Sequence, residues 1–186
     1  MRFKPRTNQV EQMDIIKNSI RSIPGWPIKG VTFRDITTLM QDPDINRKTT
    51  DIFFDRYKNM AIDKVVGIDA RGFVFGAILA HQLHVGFVPV RKKGKLPYKT
   101  ISESYSLEYG KDTLEIHEDA IKKGERVIIM DDLIATGGTI GATVKLVEKI
   151  GGHIVECAFV VELPDLKGRS RLNGHSIFSI VAFDGD

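Results

Sequence analysis

From Lys64 onward, short apolar runs rich in β-branched residues alternate with runs of helical spacing, and that rhythm constrains the fold more than any other feature of the chain. The strand-like runs are Val65–Ile68, Phe87–Val90, Val127–Met130, Ile154–Val161 and Ile177–Phe183; the helical ones among them are Phe73–Leu83 and Ile140–Ile150. A strand, a crossover and a second strand of one sheet connect right-handedly, so the alternation predicts an α/β fold with a mostly parallel, twisted sheet and helices on both faces. Ligands of such sheets bind at the carboxyl ends of the strands. Ser102–His117 departs from the rhythm: Tyr105, Leu107 and Tyr109 alternate, Gly110-Lys111-Asp112 reads as a turn, and Leu114 and Ile116 resume the pattern. A hairpin arm is expected there.

Before Lys64 the signals are more local. Met13, Ile16, Ile20 and Ile23 fall at helical spacing and predict a helix over Val10–Ile23, stopped by Pro24-Gly25. Trp26–Met40 carries Pro27 and Gly30 without clean periodicity and reads as a loop with a short strand. Asp42-Pro43 is an N-cap followed by proline at the first helical position, with Ile45, Thr49, Ile52, Phe53 and Met60 on one face of the helix it opens.

The 186 residues, 42% hydrophobic and 27% charged, suit one globular domain over 1–186. The longest apolar run, Phe73–Ala80, is far shorter than the roughly 20 residues that cross a bilayer, so no membrane association is expected. The basic start at Met1–Arg6 is followed by no apolar stretch or small-residue cleavage site, which points to a cytoplasmic protein. The single cysteine, Cys157, lies in an apolar run and reads as a buried, inert thiol. A net charge of +3 suits anionic small molecules and falls short of the basic face that nucleic-acid binders carry. His81 and His84 share a helix without an evident third ligand, and His117, His153 and His175 are scattered, so a protein-held metal is not expected.

Chemistry concentrates at Val127–Thr139, where a buried strand runs through Asp131-Asp132-Leu133-Ile134 into Ala135-Thr136-Gly137-Gly138-Thr139 and then a helix. Free amides and the dipole at a helix N-terminus favour an anion; Gly137 and Gly138 let the backbone approach it, and Thr136 and Thr139 add hydroxyl donors. The loop lacks both the G-x-G-x-x-G spacing of dinucleotide sites and the Gly-Lys-Ser/Thr of a Walker A loop. Asp131 and Asp132 would repel a lone phosphate yet accept well from sugar hydroxyls. A ribose bearing a 5′-phosphate meets both demands.

These thirteen residues resemble the phosphoribosyl diphosphate signature of the type I phosphoribosyltransferases, which implies that family's fold, with a small N-terminal hood (about 1–40) and a mobile hairpin arm (about 95–117) added to the sheet. Ile68-Asp69-Ala70-Arg71-Gly72-Phe73 is similar to the family's second strand-to-helix turn, implying that Ala70 and Arg71 hold the diphosphate. The basic run Arg91-Lys92-Lys93-Gly94-Lys95 follows a strand, and Arg91, Lys92 and Lys95 are the residues expected to assist there. Tyr105–Lys111 resembles the arm motif of the adenine-specific members, and Gly30–Ile36 their base-covering hood. The resemblance implies that the backbone around Thr32 and Arg34 reads the base edge, that Phe33 and Ile134 lie near the ring, and that Glu108 exchanges a proton with a ring nitrogen, with Tyr109 packing on the closed site.

The expected reaction is adenine plus 5-phospho-α-D-ribosyl 1-diphosphate giving AMP and diphosphate. Glu108 and Arg71 carry the catalysis, and Mg²⁺ is bound mainly through the substrate's own diphosphate and ribose oxygens. The resemblance implies a homodimer. The rivals are the same transfer to hypoxanthine, guanine, xanthine or orotate, and, from another class, a regulator that binds nucleic acid.

Overall fold

The computed structural model describes residues 7–107, 110–172 and 174–185. The chain opens with helix α1 (Thr7–Ser19), strands β1 (Arg21–Pro24) and β2 (Thr32–Asp35), and helices α2 (Thr37–Gln41) and α3 (Pro43–Tyr57). The predicted first helix therefore ends four residues early. Ser19 Oγ donates to the Ile16 carbonyl (2.7 Å), and Thr38 Oγ1 donates to the Ser19 carbonyl (2.6 Å), which satisfies an end group of the helix. Ile23 belongs instead to β1, which pairs antiparallel with β2 and sets Ile23 opposite Phe33 and Ser22 opposite Arg34. The stretch read as a loop with a short strand holds that strand, β2, and also a short helix that was not expected, with Asp35 accepting from Thr37 N (3.0 Å) at the turn between them. The Asp42 cap stands as expected: its carboxylate accepts from Asp44 N (2.9 Å) and Ile45 N (3.0 Å).

The alternating region follows as β3 (Lys64–Ile68), α4 (Gly72–Leu83), β4 (Gly86–Lys92), β5 (Thr100–Leu107), β6 (Gly110–His117), β7 (Arg126–Ile134), α5 (Gly138–Ile150), β8 (His153–Glu162) and β9 (Ile177–Ala182), with two 3-10 turns at Pro164–Leu166 and Gly168–Leu172. One seven-stranded sheet has the order β5-β6-β4-β3-β7-β8-β9. The five strands from β4 to β9 are mutually parallel, and the β5–β6 hairpin extends the β4 edge antiparallel. The predicted turn at Gly110-Lys111-Asp112 is corrected: the register pairs Leu107 with Gly110 and Tyr105 with Asp112, so those three residues are strand. Pairing across the hairpin overrode the local turn preference of Gly-Lys-Asp.

Side chains of the central strands alternate between two cores, as the pleat requires. Ile128, Met130, Ala158 and Val160 pack with Ile16, Leu39, Phe53, Phe75 and Leu79 of α1 to α4 on one face; Val127, Ile129, Cys157 and Phe159 pack with Val144, Leu146 and Val147 of α5 on the other. Leu114 and Ile116 of the hairpin belong to this second core, so the hairpin's base is part of the sheet. Glu103 on β5 accepts from Lys145 (3.2 Å) and Lys149 (2.5 Å) of α5, which ties the hairpin stem to the helix. Burial lifts the Cys157 thiol to about 12, in keeping with an inert core cysteine. Among the described residues no helix is long and apolar enough to cross a membrane.

Candidate functional site

Because β3, β4 and β7 are adjacent and parallel, their carboxyl ends deliver three loops to one place. β7 runs four residues past the predicted Met130, so Asp131 to Ile134 are strand residues in register with β8, Asp131 facing Phe159 and Ile134 facing Glu162. Asp132 is 6% exposed. Its Oδ2 accepts from Arg71 Nε at 2.5 Å. Arg71 stands immediately before α4, whose first residue, Gly72, crosses β7 so closely that an added Cβ would lie 2.7 Å from the Met130 carbonyl. That close approach brings Arg71 over the acidic strand end. Burial works against the arginine charge, and Asp132 outweighs it, raising the guanidinium above its usual pKa. Asp131 is pushed the other way: burial first, then repulsion by Asp132, raises its pKa well above the usual carboxylate value.

From Ile134 the chain turns through Ala135 and Thr136 to Gly137, which caps α5 in the left-handed region (φ 80°) with no side-chain hydrogen bond to the first-turn amides. A Cβ on Gly137 would lie 2.5 Å from the Gly168 carbonyl, and one on Gly168 would collide with the Ala135 carbonyl. The loop is therefore seated backbone against backbone on the second 3-10 turn. No local signal marks Gly168 in the sequence, because its backbone contacts are with Gly137 and Ala135, more than thirty residues distant.

Two further ion pairs frame the site. Arg91 Nε donates to Asp69 Oδ2 (2.9 Å) and its Nη1 to the Lys95 carbonyl (3.0 Å). Lys92 Nζ lies 3.0 Å from Asp112 Oδ2, which also accepts from the Tyr105 hydroxyl at 3.4 Å. The Asp112 hydrogen bond raises the Lys92 pKa, and Lys92 lowers that of Asp112. The Asp69–Ala70 peptide is cis.

These groups enclose a cavity of about 440 Å³. It brings together Ala70, Arg71, Lys92, Asp131, Asp132, Ile134, Ala135, Thr136, Gly137, Gly138 and Thr139, all of them expected from the sequence. Asp69, Tyr105, Leu114, Leu133 and Ile140 also line it, and of these Asp69 was visible only as part of the strand-to-helix turn that carries Arg71. Arg91 and Lys95 do not line it; Arg91 sits behind Asp69, and the Lys95 side chain is exposed.

Thr32, Phe33 and Arg34 do not line the cavity either. Phe33 meets Trp26 edge-on, with ring centroids 4.4 Å apart, and Arg34 donates to Ser22 Oγ (2.7 Å). Asp35, at the end of their strand, is close enough to Arg71 for the charges to interact; its pKa is lowered by the Thr37 hydrogen bonds first, then by Arg21 and Arg71. Glu108 and Tyr109 lie outside the described residues. Among the described residues no group of three or more His, Cys, Asp or Glu side chains is gathered to hold a metal.

An acidic strand end running straight into an uncapped, glycine-opened helix, on a parallel sheet with this strand order, defines a phosphoribosyltransferase of the type I fold. The family model described as "Phosphoribosyl transferase domain" matches residues 35–184. The adenine phosphoribosyltransferase of Desulfosudis oleivorans is 61% identical over 171 residues, 92% of this chain and 99% of that protein. The crystal structure of the adenine phosphoribosyltransferase of Rhodothermus marinus superposes with a TM-score of 0.88 at 48% identity, covering 94% of this chain and 99% of that one. That of Saccharomyces cerevisiae, complexed with adenine and an imino-altritol bisphosphate, gives 0.88 at 40% identity over 92% and 99%. The chain belongs to the adenine phosphoribosyltransferase family.

Proposed function

We propose that this chain serves purine salvage, transferring the 5-phosphoribosyl group of 5-phospho-α-D-ribose 1-diphosphate to adenine and releasing AMP and diphosphate. The observation that carries the proposal is the continuity of β7 and α5: Asp131 and Asp132 at the strand end share one cavity with Ala135 to Thr139 at the helix start. In this reading the carboxylates accept from the ribose hydroxyls while the helix amides and Thr136 and Thr139 hydroxyls hold the 5′-phosphate. Arg71, with Ala70 and Lys92, takes the leaving diphosphate, and Arg91 and Lys95 assist from behind Asp69 or at a neighbouring subunit's site.

Adenine is assigned to the space between Ile134 and β2. Among the described residues β2 pairs only with β1. Its other edge can offer the base an N–H for N1 and a carbonyl for the 6-amino group, a pattern that a 6-oxopurine would meet with both partners reversed.

In the transfer, the bond from C1 of the ribose to the diphosphate oxygen breaks as the ring nitrogen bonds to C1, and the proton that nitrogen loses passes to Glu108. Positive charge developing on the sugar is stabilised by Asp131 and Asp132, and the fixed 5′-phosphate keeps C1 in line. A Mg²⁺ would be held mainly by the substrate's own diphosphate and ribose oxygens, with the carboxylates that line the cavity, Asp69, Asp131 and Asp132, as the hard oxygens beside it, and it would supply charge neutralisation to the leaving diphosphate. Closure of the arm excludes water from the reacting sugar. The stem of that arm is held by Leu114, Ile116 and Glu103. A homodimer in the cytoplasm completes the proposal.

The deciding experiment is incubation with labelled adenine, the sugar diphosphate and Mg²⁺, with AMP separated from free base. AMP formation at a rate well above that with hypoxanthine, guanine, xanthine or orotate is expected. Turnover of one of those bases in place of adenine would remove the assignment.

A further inference from the structure

Phe183 follows the last strand, β9, and is the point where the end of the chain meets its beginning. Its N–H donates to the Glu162 carbonyl (3.0 Å) and its side chain is 9% exposed in the core formed with Ile16, Ile20, Phe178 and Ile180. Two cations from two different elements lie against its ring: the Arg34 guanidinium of β2 at 4.3 Å from the centroid, and Lys17 Nζ of α1 at 5.0 Å. Both distances are within the roughly 6 Å over which an aromatic quadrupole attracts a cation. Arg34 Nη1 is at the same time bonded to Ser22 Oγ (2.7 Å) on β1, whose backbone is in register with Arg34.

We infer that Phe183 is a positioning residue for the base: its ring, held by Lys17 and Arg34, fixes the height of β2 above the sheet. The inference rests on the proposed role of Thr32, Phe33 and Arg34 in covering adenine. Among the described residues β2 belongs to a two-stranded sheet of its own, with no strand partner in the main sheet, so its placement depends on contacts of this kind. Along β2, successive side chains point to opposite sides. Arg34 is directed to Phe183 while Phe33 meets Trp26, so the strand is gripped from both of its faces. With the Arg34 guanidinium engaged by Ser22 and the ring, what the residue offers a base is its backbone, and an error in strand height becomes an error in hydrogen-bond distance. The sugar and phosphate subsites, on β7 and α5, have backbone supports of their own: β7 is paired to β3 on one side and β8 on the other, and Gly137 is seated against Gly168.

The test is steady-state kinetics with adenine and the sugar diphosphate varied separately, together with hydrogen exchange over residues 32–35. Phe183→Leu keeps the apolar bulk and removes the π face. It is expected to raise KM for adenine about five- to tenfold while moving KM for the sugar diphosphate by less than about twofold, and to speed exchange of the β2 amides. Phe183→Tyr restores the wild-type values, and Lys17→Met, which leaves the ring in place, gives a smaller change in the same direction. An equal rise in both KM values, or an unchanged adenine KM accompanied only by a lower Tm, would mark the ring as merely structural and overturn the inference. If Phe183→Leu does not fold, Lys17→Met decides on the same two readouts. If the wild-type protein makes no AMP from adenine, the functional reading fails by itself; exchange over β2, faster in the variant or unchanged, then settles the clamp separately.

Discussion

Arg71 and Asp132, sixty-one residues apart in sequence, both line the cavity and form a charge-assisted hydrogen bond of 2.5 Å. An arginine assigned to the diphosphate is thus paired with a carboxylate assigned to the ribose. Substrate binding must therefore exchange partners: the guanidinium turns to phosphate oxygens and the carboxylate to sugar hydroxyls, each trading one charged hydrogen bond for another. Asp132→Asn removes the acceptor and leaves Arg71 facing a neutral amide. We expect the dissociation constant of the sugar diphosphate, measured by calorimetry, to rise at least about tenfold, as loss of a charged hydrogen bond generally does.

Glu108→Gln should behave differently, because a general acid or base acts on the reacting nitrogen and not on the sugar. Turnover is expected to fall by roughly 10²-fold or more with sugar-diphosphate affinity within about twofold of wild type. Equal affinity losses in Glu108→Gln and Asp132→Asn would undo the division of roles.

Asp131 carries a pH signature. Its folded-state pKa is raised by burial and by the Asp132 charge. Below the unfolded carboxylate value both states hold the proton and the group is neutral toward stability. As pH rises from there through the raised folded value, the unfolded chain releases the proton more readily, so the group costs the folded protein an increasing amount of stability. Asp131→Asn removes that cost. Its Tm should match wild type near pH 3.5 and exceed it at pH 7.5 by an amount on the order of a few degrees, with activity reduced. A Tm gain at pH 3.5 as large as that at pH 7.5 would show that the effect is not one of ionisation.

The backbone contact between Gly168 and the phosphate loop predicts a variant that damages binding without touching the ligand. A Cβ on Gly168 meets the Ala135 carbonyl and Ile134 Cγ1 (2.8 Å), so the loop must move outward. Gly168→Ala should cost about 1–3 kcal/mol of stability by overpacking and weaken AMP binding in calorimetry. Gly141→Ala, inside α5 where an added Cβ meets nothing within 4 Å, is the control: it should leave AMP binding unchanged and raise stability by up to about 1 kcal/mol, the helix preference of alanine over glycine.

How much of this was legible in the sequence follows from how local each signal is. The strand–acid–glycine–helix passage from Val127 to Thr139 is continuous, so its composition carried its structure and the gathering of its residues around one cavity. The Asp42-Pro43 cap is equally local and formed as written. Of the β1–β2 pair only the short strand within Trp26–Met40 was legible, as β2; β1 was not, because it is four residues long and Ile23 continued a helical spacing until pairing with Phe33 prevailed. The hairpin turn was misplaced because Gly110 carries turn chemistry yet sits opposite Leu107 in the ladder. The Arg71–Asp132 bond, the Gly137–Gly168 contact and the clamp on Phe183 join residues remote in sequence, and only the completed topology brings them together.

Trp26, the single tryptophan of the chain, supplies a direct optical test of where the base lies. It is half-exposed and meets Phe33 edge-on at 4.4 Å, so its emission depends on the setting of a ring assigned to the purine. A base that packs on Phe33 must alter that setting, whereas a ligand confined to the β7–α5 loop has no contact through which to reach the indole. Titration with AMP should therefore change the tryptophan emission saturably, and ribose 5-phosphate, which has the same sugar and phosphate but no base, should bind with little change. Phe33→Leu should remove most of the AMP response and weaken AMP binding by about 1 kcal/mol, the order of one aromatic contact, while leaving ribose 5-phosphate affinity intact. Equal emission changes with the two ligands would mean that the response arises from the phosphate loop, and the purine would then have to be sought away from β2.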